Sequence, residues 1–164
     1  MIPAIIATIL LALWIAGQWY FNGKKVPTSI ANNPFMLPIG GRIMWLACAW
    51  LVTFLLVPTA MTRVADPLRF LVLLSGGCMV IAGALPIHED DQGVGGDLYK
   101  LFSIGVILFS QALAALTHPL SMLLWLPFCA YAASCIIRAK EWPSWRLWAG
   151  ITAYFTIIFS IFCS

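Results

Sequence analysis

Six stretches of almost uninterrupted apolar residues, 3–20, 43–61, 67–87, 99–117, 120–137 and 145–163, account for most of this 164-residue chain. Each is close to the ~20 residues that a helix needs to cross about 30 Å of hydrocarbon. Within hydrocarbon a helix satisfies all of its own backbone donors and acceptors, so a continuous apolar run of this length folds as one. The alternation of apolar and polar residues that marks an outer-membrane barrel strand is missing. The spacing predicts an all-α fold, a polytopic membrane helix bundle of six transmembrane helices forming a single domain over 1–164.

Composition supports the same reading. Charged residues make up 9% of the chain and hydrophobic ones 62%, whereas a soluble domain carries about 25% charged residues. The first run lacks the positive flank of a signal peptide and exceeds the usual length of its apolar core. It ends in Trp19, Tyr20 and Phe21, an interfacial aromatic cluster, and is read as a retained span. The formal charge of +3 reflects basic membrane flanks. No basic patch interleaved with polar structure is present, which argues against a nucleic-acid partner.

The basic residues divide unequally between the two sides. With six crossings, Lys24, Lys25, Arg42, Lys100, Arg138, Lys140 and Arg146 fall on one face, and Arg63 and Arg69 fall on the other with both termini. Loops rich in Lys and Arg stay cytoplasmic, and acidic residues count little. Both termini are therefore expected on the non-cytoplasmic side, in a membrane most simply assigned as a bacterial inner membrane. The tight connection Thr117-His118-Pro119 should make the fourth and fifth spans antiparallel neighbours, with His118 capping the turn. Trp142, Trp145 and Trp148, beside Arg138, Lys140 and Arg146, read as an aromatic anchor for the sixth span, with Pro143 in its first turn.

Small and hydroxylated residues indicate how the spans pack. Gly76 and Gly83 mark one face of the third span, Ser103, Ser110, Ala114 and Thr117 a stripe on the fourth, and Ala149, Ala153, Thr156 and Ser160 a stripe on the sixth. Such residues let backbones approach closely in lipid. Two stripes could also line a polar cavity. Gln111, beside Ser110 in mid-membrane, needs a polar partner there, either another helix or a ligand. The five cysteines, Cys48, Cys78, Cys129, Cys135 and Cys163, form no CxxC pair and read as small apolar residues. No charged residue lies in the middle of a span and no inverted repeat is visible, which argues against a proton- or cation-coupled pump.

Two polar segments on the predicted cytoplasmic face hold the remaining chemistry. In the first, 88–97, His88, Glu89, Asp91 and Asp97 are candidate ligands for a divalent cation. The spacing fails the Ca²⁺-loop pattern, and a solvated turn is the plainer reading; no cofactor is predicted. His118 lies at the opposite membrane face and cannot join the set. The second segment, 23–41, is long for a connection in a compact bundle. Its Thr28 and Ser29 either cap a short helix or contact a ligand at the cytoplasmic mouth. Ser29 with His88 would be a conceivable nucleophile and base, and these are the candidate catalytic residues.

Pro27-Thr28-Ser29-Ile30 after the first span, and Gly83-Ala84 with Pro86 closing the third, give the chain a layout that resembles uncharacterised bacterial six-helix membrane proteins of the DRAM/Frag type. The resemblance implies the fold over most of the chain. Relatives of that type carry a histidine near the start of the fourth span. Here the segment reads Asp97-Leu98-Tyr99-Lys100, so no histidine chemistry is carried over.

Three functions follow from these residues. The first is a non-enzymatic bundle that binds a lipid or small amphiphile, or that partners another membrane protein or a second copy of itself. The second is a hydrolase or transferase acting on lipid headgroups at the cytoplasmic face. The third is a passive facilitator.

Overall fold

The computed structural model describes residues 2–21, 39–85 and 94–162. Six α-helices follow in order: α1 (Ile2–Phe21), α2 (Ile39–Arg63), α3 (Arg69–Ala84), α4 (Val94–Thr117), α5 (Trp125–Ile137) and α6 (Trp145–Phe162). Short 3-10 turns at Asp66–Leu68 and Pro119–Leu124 lead into α3 and α5. With these lead-ins, all six are long and apolar enough to cross a membrane. The protein is a polytopic membrane helix bundle.

The boundaries differ from expectation where glycine and proline occur. The fourth helix begins at Val94 rather than at residue 99, so the Gly95-Gly96-Asp97 end of the supposed turn is helical. Two glycines are poor helix formers, but the long apolar run behind them propagates the helix backward. Asp97 in the first turn also favours the positive end of the helix dipole. The fifth span enters as 3-10 backbone and becomes α-helical only at Trp125. Pro67, Pro119 and Pro127 all sit in first turns, where a missing N–H costs nothing. Pro143 lies two residues before α6 rather than within its first turn.

The helices pack in succession, α1 on α2, α2 on α3, α3 on α4 and α4 on α6. The tight turn after α4 does not lay α5 along it. The 3-10 lead-in packs against α4 and α6, and α5 then leans chiefly on α6. Leu126, Ile136 and Ile137 of α5 are exposed, which is stable when lipid is the solvent. His118 does not cap this turn with its side chain. Its ring packs 5.7 Å from that of Phe159, and its carbonyl accepts from the Ser121 N–H.

The small-residue stripes are where backbones meet. A Cβ on Gly83 would lie 2.7 Å from Ala49 Cβ, and one on Gly76 would lie 2.5 Å from Val57 Cγ2, so only glycine allows α2 and α3 this close. The Trp50 indole donates across the same seam to the Val80 carbonyl at 3.2 Å. Between α4 and α6, the hydroxyls of Thr117 and Ser160 share a hydrogen bond, and Ser160 also donates to the Ala114 carbonyl at 3.4 Å. Cys48 and Cys135 are buried, Cys78 is half-buried against α4 near Gly105, and Cys129 is exposed; Cys163 lies outside the described residues. Buried apolar residues form two clusters toward opposite ends of the bundle. One includes Trp14, Trp45, Cys48 and Tyr99, and the other Ala60, Leu71, Leu113 and Phe162.

Helix α5 ends in a left-handed residue. Ala139 has φ 49°, its N–H donates to the Ile136 carbonyl at 3.1 Å, and the Lys140 N–H donates to the Cys135 carbonyl at 2.9 Å. This is the Schellman arrangement, which favours glycine at the left-handed position. Ala139→Gly is expected to stabilise the protein by about 1 kcal/mol. A melting temperature raised by about 2–4 °C in mild detergent would confirm this, and a lowered one would refute it. Beyond this cap, Trp142 packs on Phe128 and Tyr131 of α5, with centroids at 5.2 and 4.8 Å, while Trp145 and Trp148 remain exposed at the start of α6.

Candidate functional site

Helices α2, α3, α4 and α6, with Leu11 of α1, line a partly open cavity of about 510 Å³, and no described residue of α5 lines it. Four sides are the packed helix pairs of the succession. On the fifth, between α6 and α1, the hydroxyls of Tyr154 and Thr8 share a hydrogen bond at 3.1 Å. Near the opposite end, Ala4 joins the cluster that contains Ile161 and Phe162. Space exists because the walls are built of small residues, among them Ala49, Ala60, Ala82, Ala149 and Gly150.

The interior is apolar in effect despite its hydroxyls. Thr53, Ser75 and Ser110 line the wall, and each spends its proton on a backbone carbonyl: Ala49 at 2.7 Å, Val106 at 3.4 Å and Ile107 at 3.1 Å. A hydroxyl has one proton to give, so little donor capacity faces inward. Among the described lining residues, charge enters only at the end where Trp45, Tyr99 and Trp145 lie. Lys100 and Arg146 are there, and no carboxylate is among the described lining residues. The Lys100 ammonium sits 3.9 Å from the Asp97 carboxylate, itself exposed in the first turn of α4.

Of the packing-stripe and polar residues singled out from sequence, Gly76, Ser103, Ser110, Ala149 and Ala153 line the cavity, and Gln111 does not. Its amide is occupied at the junction of three elements. Nε2 donates to the Ala153 carbonyl at 3.1 Å and to Ser110 Oγ at 3.3 Å, and Oε1 accepts from the Trp125 indole at 2.8 Å. Gln111 therefore ties α4 to α6 and to the start of α5. Thr28, Ser29, His88, Glu89 and Asp91 lie outside the described residues, and with them the Ser29–His88 pair and most of the candidate cation set. Among the described residues, no three of His, Cys, Asp and Glu come together.

Several residues at or near the cavity were not anticipated; of these Tyr154 and Trp45 line it. Tyr154 and Thr8 carry no sequence signal beyond being polar in apolar runs. Trp45 reads as an ordinary interfacial tryptophan, yet it is 5% exposed, lines the cavity, and has a buried Nε1–H with no acceptor among the described residues. Gln18 is buried to 1% exposure in α1. The spacing Ala4, Ala7, Leu11, Trp14, Gln18 is a heptad seam that would have placed it inward. Comparison with known protein families, curated proteins and solved structures gives no match.

Proposed function

We propose that this bundle is a binding protein for a single-chain amphiphile, held with its tail in the cavity between α1, α2, α3, α4 and α6. The observation that carries this reading is the cavity itself, about 510 Å³ of largely apolar space inside a bundle whose outer surface is also apolar. Small-molecule sites occupy roughly 300–1,000 Å³. A volume in the lower half of that range suits one chain and a small headgroup better than a two-chain lipid.

The distribution of basic residues supports placing both termini on the non-cytoplasmic side. The end of the cavity that carries Lys100 and Arg146 then faces the cytoplasmic leaflet, of a bacterial inner membrane in the simplest case. A C-terminal reporter active only in the cytoplasm would contradict that orientation.

Binding is tested by melting. Delipidated protein in neutral nanodiscs, given a dodecyl-chain amphiphile at a hundred times its Kd, gains about 2.7 kcal/mol, or about 5–10 °C. Ser103→Phe with Ala149→Phe, which fills the cavity from α4 and α6, should remove that shift while the ligand-free protein stays folded. An equal shift in the filled variant would place the amphiphile on the outer surface instead.

A further inference from the structure

We infer that a groove between α5 and its connection to α6 is a site for a zwitterionic phospholipid of the surrounding membrane. Its phosphate sits on Lys140, and its ammonium on Glu141 and the Trp142 ring. The groove holds about 460 Å³ and is a different opening from the central cavity, with Trp145 the one described residue common to both linings. Phe128, Ala132, Cys135 and Ala139 follow one another in its lining at helical spacing. The small side chains of Ala132 and Ala139 leave the depression between larger neighbours. Trp142 is held by ring contacts with Phe128 at 5.2 Å and Tyr131 at 4.8 Å, so the aromatic part of the lining is built by the fold itself.

Charge decides the head. The charged residues in the described lining are one cation and one anion, Lys140 and Glu141, which follow left-handed Ala139 at the end of α5. Both are exposed, and neither enters an ion pair among the described residues. A head of one sign would meet a like charge there as well as its partner, whereas a head carrying both signs satisfies both. Phosphate oxygens accept from the Lys140 ammonium. A ligand ammonium is drawn to a carboxylate and to an aromatic ring. The Arg146 guanidinium already lies 5.5 Å from the centroid of the Trp145 ring, so Trp142 is the ring assigned to the ligand. The position suits a membrane lipid, because tryptophans and basic flanks mark the headgroup level. The apolar lining from Ile136 back to Phe128 extends about 12 Å at 1.5 Å per residue, room for the first carbons of one chain. A soluble zwitterion would leave that length uncovered.

The test is a lipid titration of delipidated protein in mild detergent, read by native mass spectrometry. The probes are palmitoyl-oleoyl phosphatidylcholine, the matching phosphatidylglycerol and the matching diacylglycerol. The first phosphatidylcholine is expected to bind about five-fold tighter than the first phosphatidylglycerol, as one exposed ion pair and one exposed cation–ring contact together supply. Diacylglycerol should bind weakest. In Glu141→Gln the preference for phosphatidylcholine should vanish or reverse. Lys140→Gln should weaken both phospholipids and leave diacylglycerol unchanged. Both side chains are exposed, so each variant should melt as the wild type does, which separates lost binding from lost folding. Ser103→Phe with Ala149→Phe, which fills the central cavity, should keep the full preference. Wild-type protein that binds the two phospholipids equally, or prefers phosphatidylglycerol, overturns the site. So does a preference that survives Glu141→Gln, or phospholipid binding unchanged in Lys140→Gln. A preference lost on filling the cavity places the lipid there and likewise overturns the groove. If the dodecyl-chain amphiphile gives no melting shift while the phospholipid preference holds, the cavity reading fails and the groove stands.

Discussion

Gly83→Leu is expected to separate α2 from α3 and to destabilise the bundle by about 3 kcal/mol or more, the upper range for overpacking a tight contact. The first atom added at Gly83 would lie 2.7 Å from Ala49 Cβ. That atom is fixed to its backbone and cannot rotate away, so the helices themselves must move apart. Even Gly83→Ala should be clearly destabilising. Gly77, six residues earlier on the same helix, has nothing within 4 Å of where its Cβ would be. Gly77→Ala should therefore gain up to about 1 kcal/mol from helix propensity alone. Unfolding in mixed micelles, measured on the two alanine variants, separates close approach from a general effect of losing glycine. Equal behaviour of the two would contradict the packing described here.

The second large effect is expected at Gln111. Gln111→Leu removes the acceptor of the Trp125 indole and the donor to the Ala153 carbonyl at once. Stranding a part-buried donor costs about 1–3 kcal/mol. Cross-helix hydrogen bonds in bilayers couple by about 0.6 kcal/mol on average and up to about 1.7. A double-mutant cycle of Gln111→Leu with Trp125→Phe should therefore return a coupling within that range. A coupling of zero would mean that the amide is not tying α4 to the start of α5. Because Gln111 does not line the cavity, the variant should keep amphiphile binding even as it loses stability.

Much of this architecture was legible in the sequence, and for identifiable reasons. Six helices followed from run length alone, because a bilayer sets the length of a spanning helix. Gly76 and Gly83 marked a close-packing face of α3, which meets α2, and the stripes on the fourth and sixth spans do face each other through Thr117 and Ser160. The arrangement of helices around a cavity was not legible. It depends on α5 lying outside the ring, and a three-residue turn gave no hint that 3-10 backbone would carry the chain off α4 and onto α6. The candidate site was legible only in part, for a related reason. Gln111 was conspicuous as a mid-membrane amide, but on a helix with polar residues at 110 and 111 one step of about 100° decides which of them faces inward. Ser110 faces the cavity and Gln111 faces the seam. Lys100 and Arg146 were counted for orientation only, because a basic residue at a helix start looks the same whether it meets headgroups or the mouth of a cavity.

Native mass spectrometry on protein released from mild detergent decides whether the helix ring holds an amphiphile. The wild-type chain should retain one adduct of single-chain amphiphile mass, such as a lysolipid, and Ser103→Phe with Ala149→Phe should lose it while remaining monodisperse and folded. A wild-type spectrum with no retained adduct, or a filled variant that keeps the same one, would contradict an amphiphile bound inside the bundle.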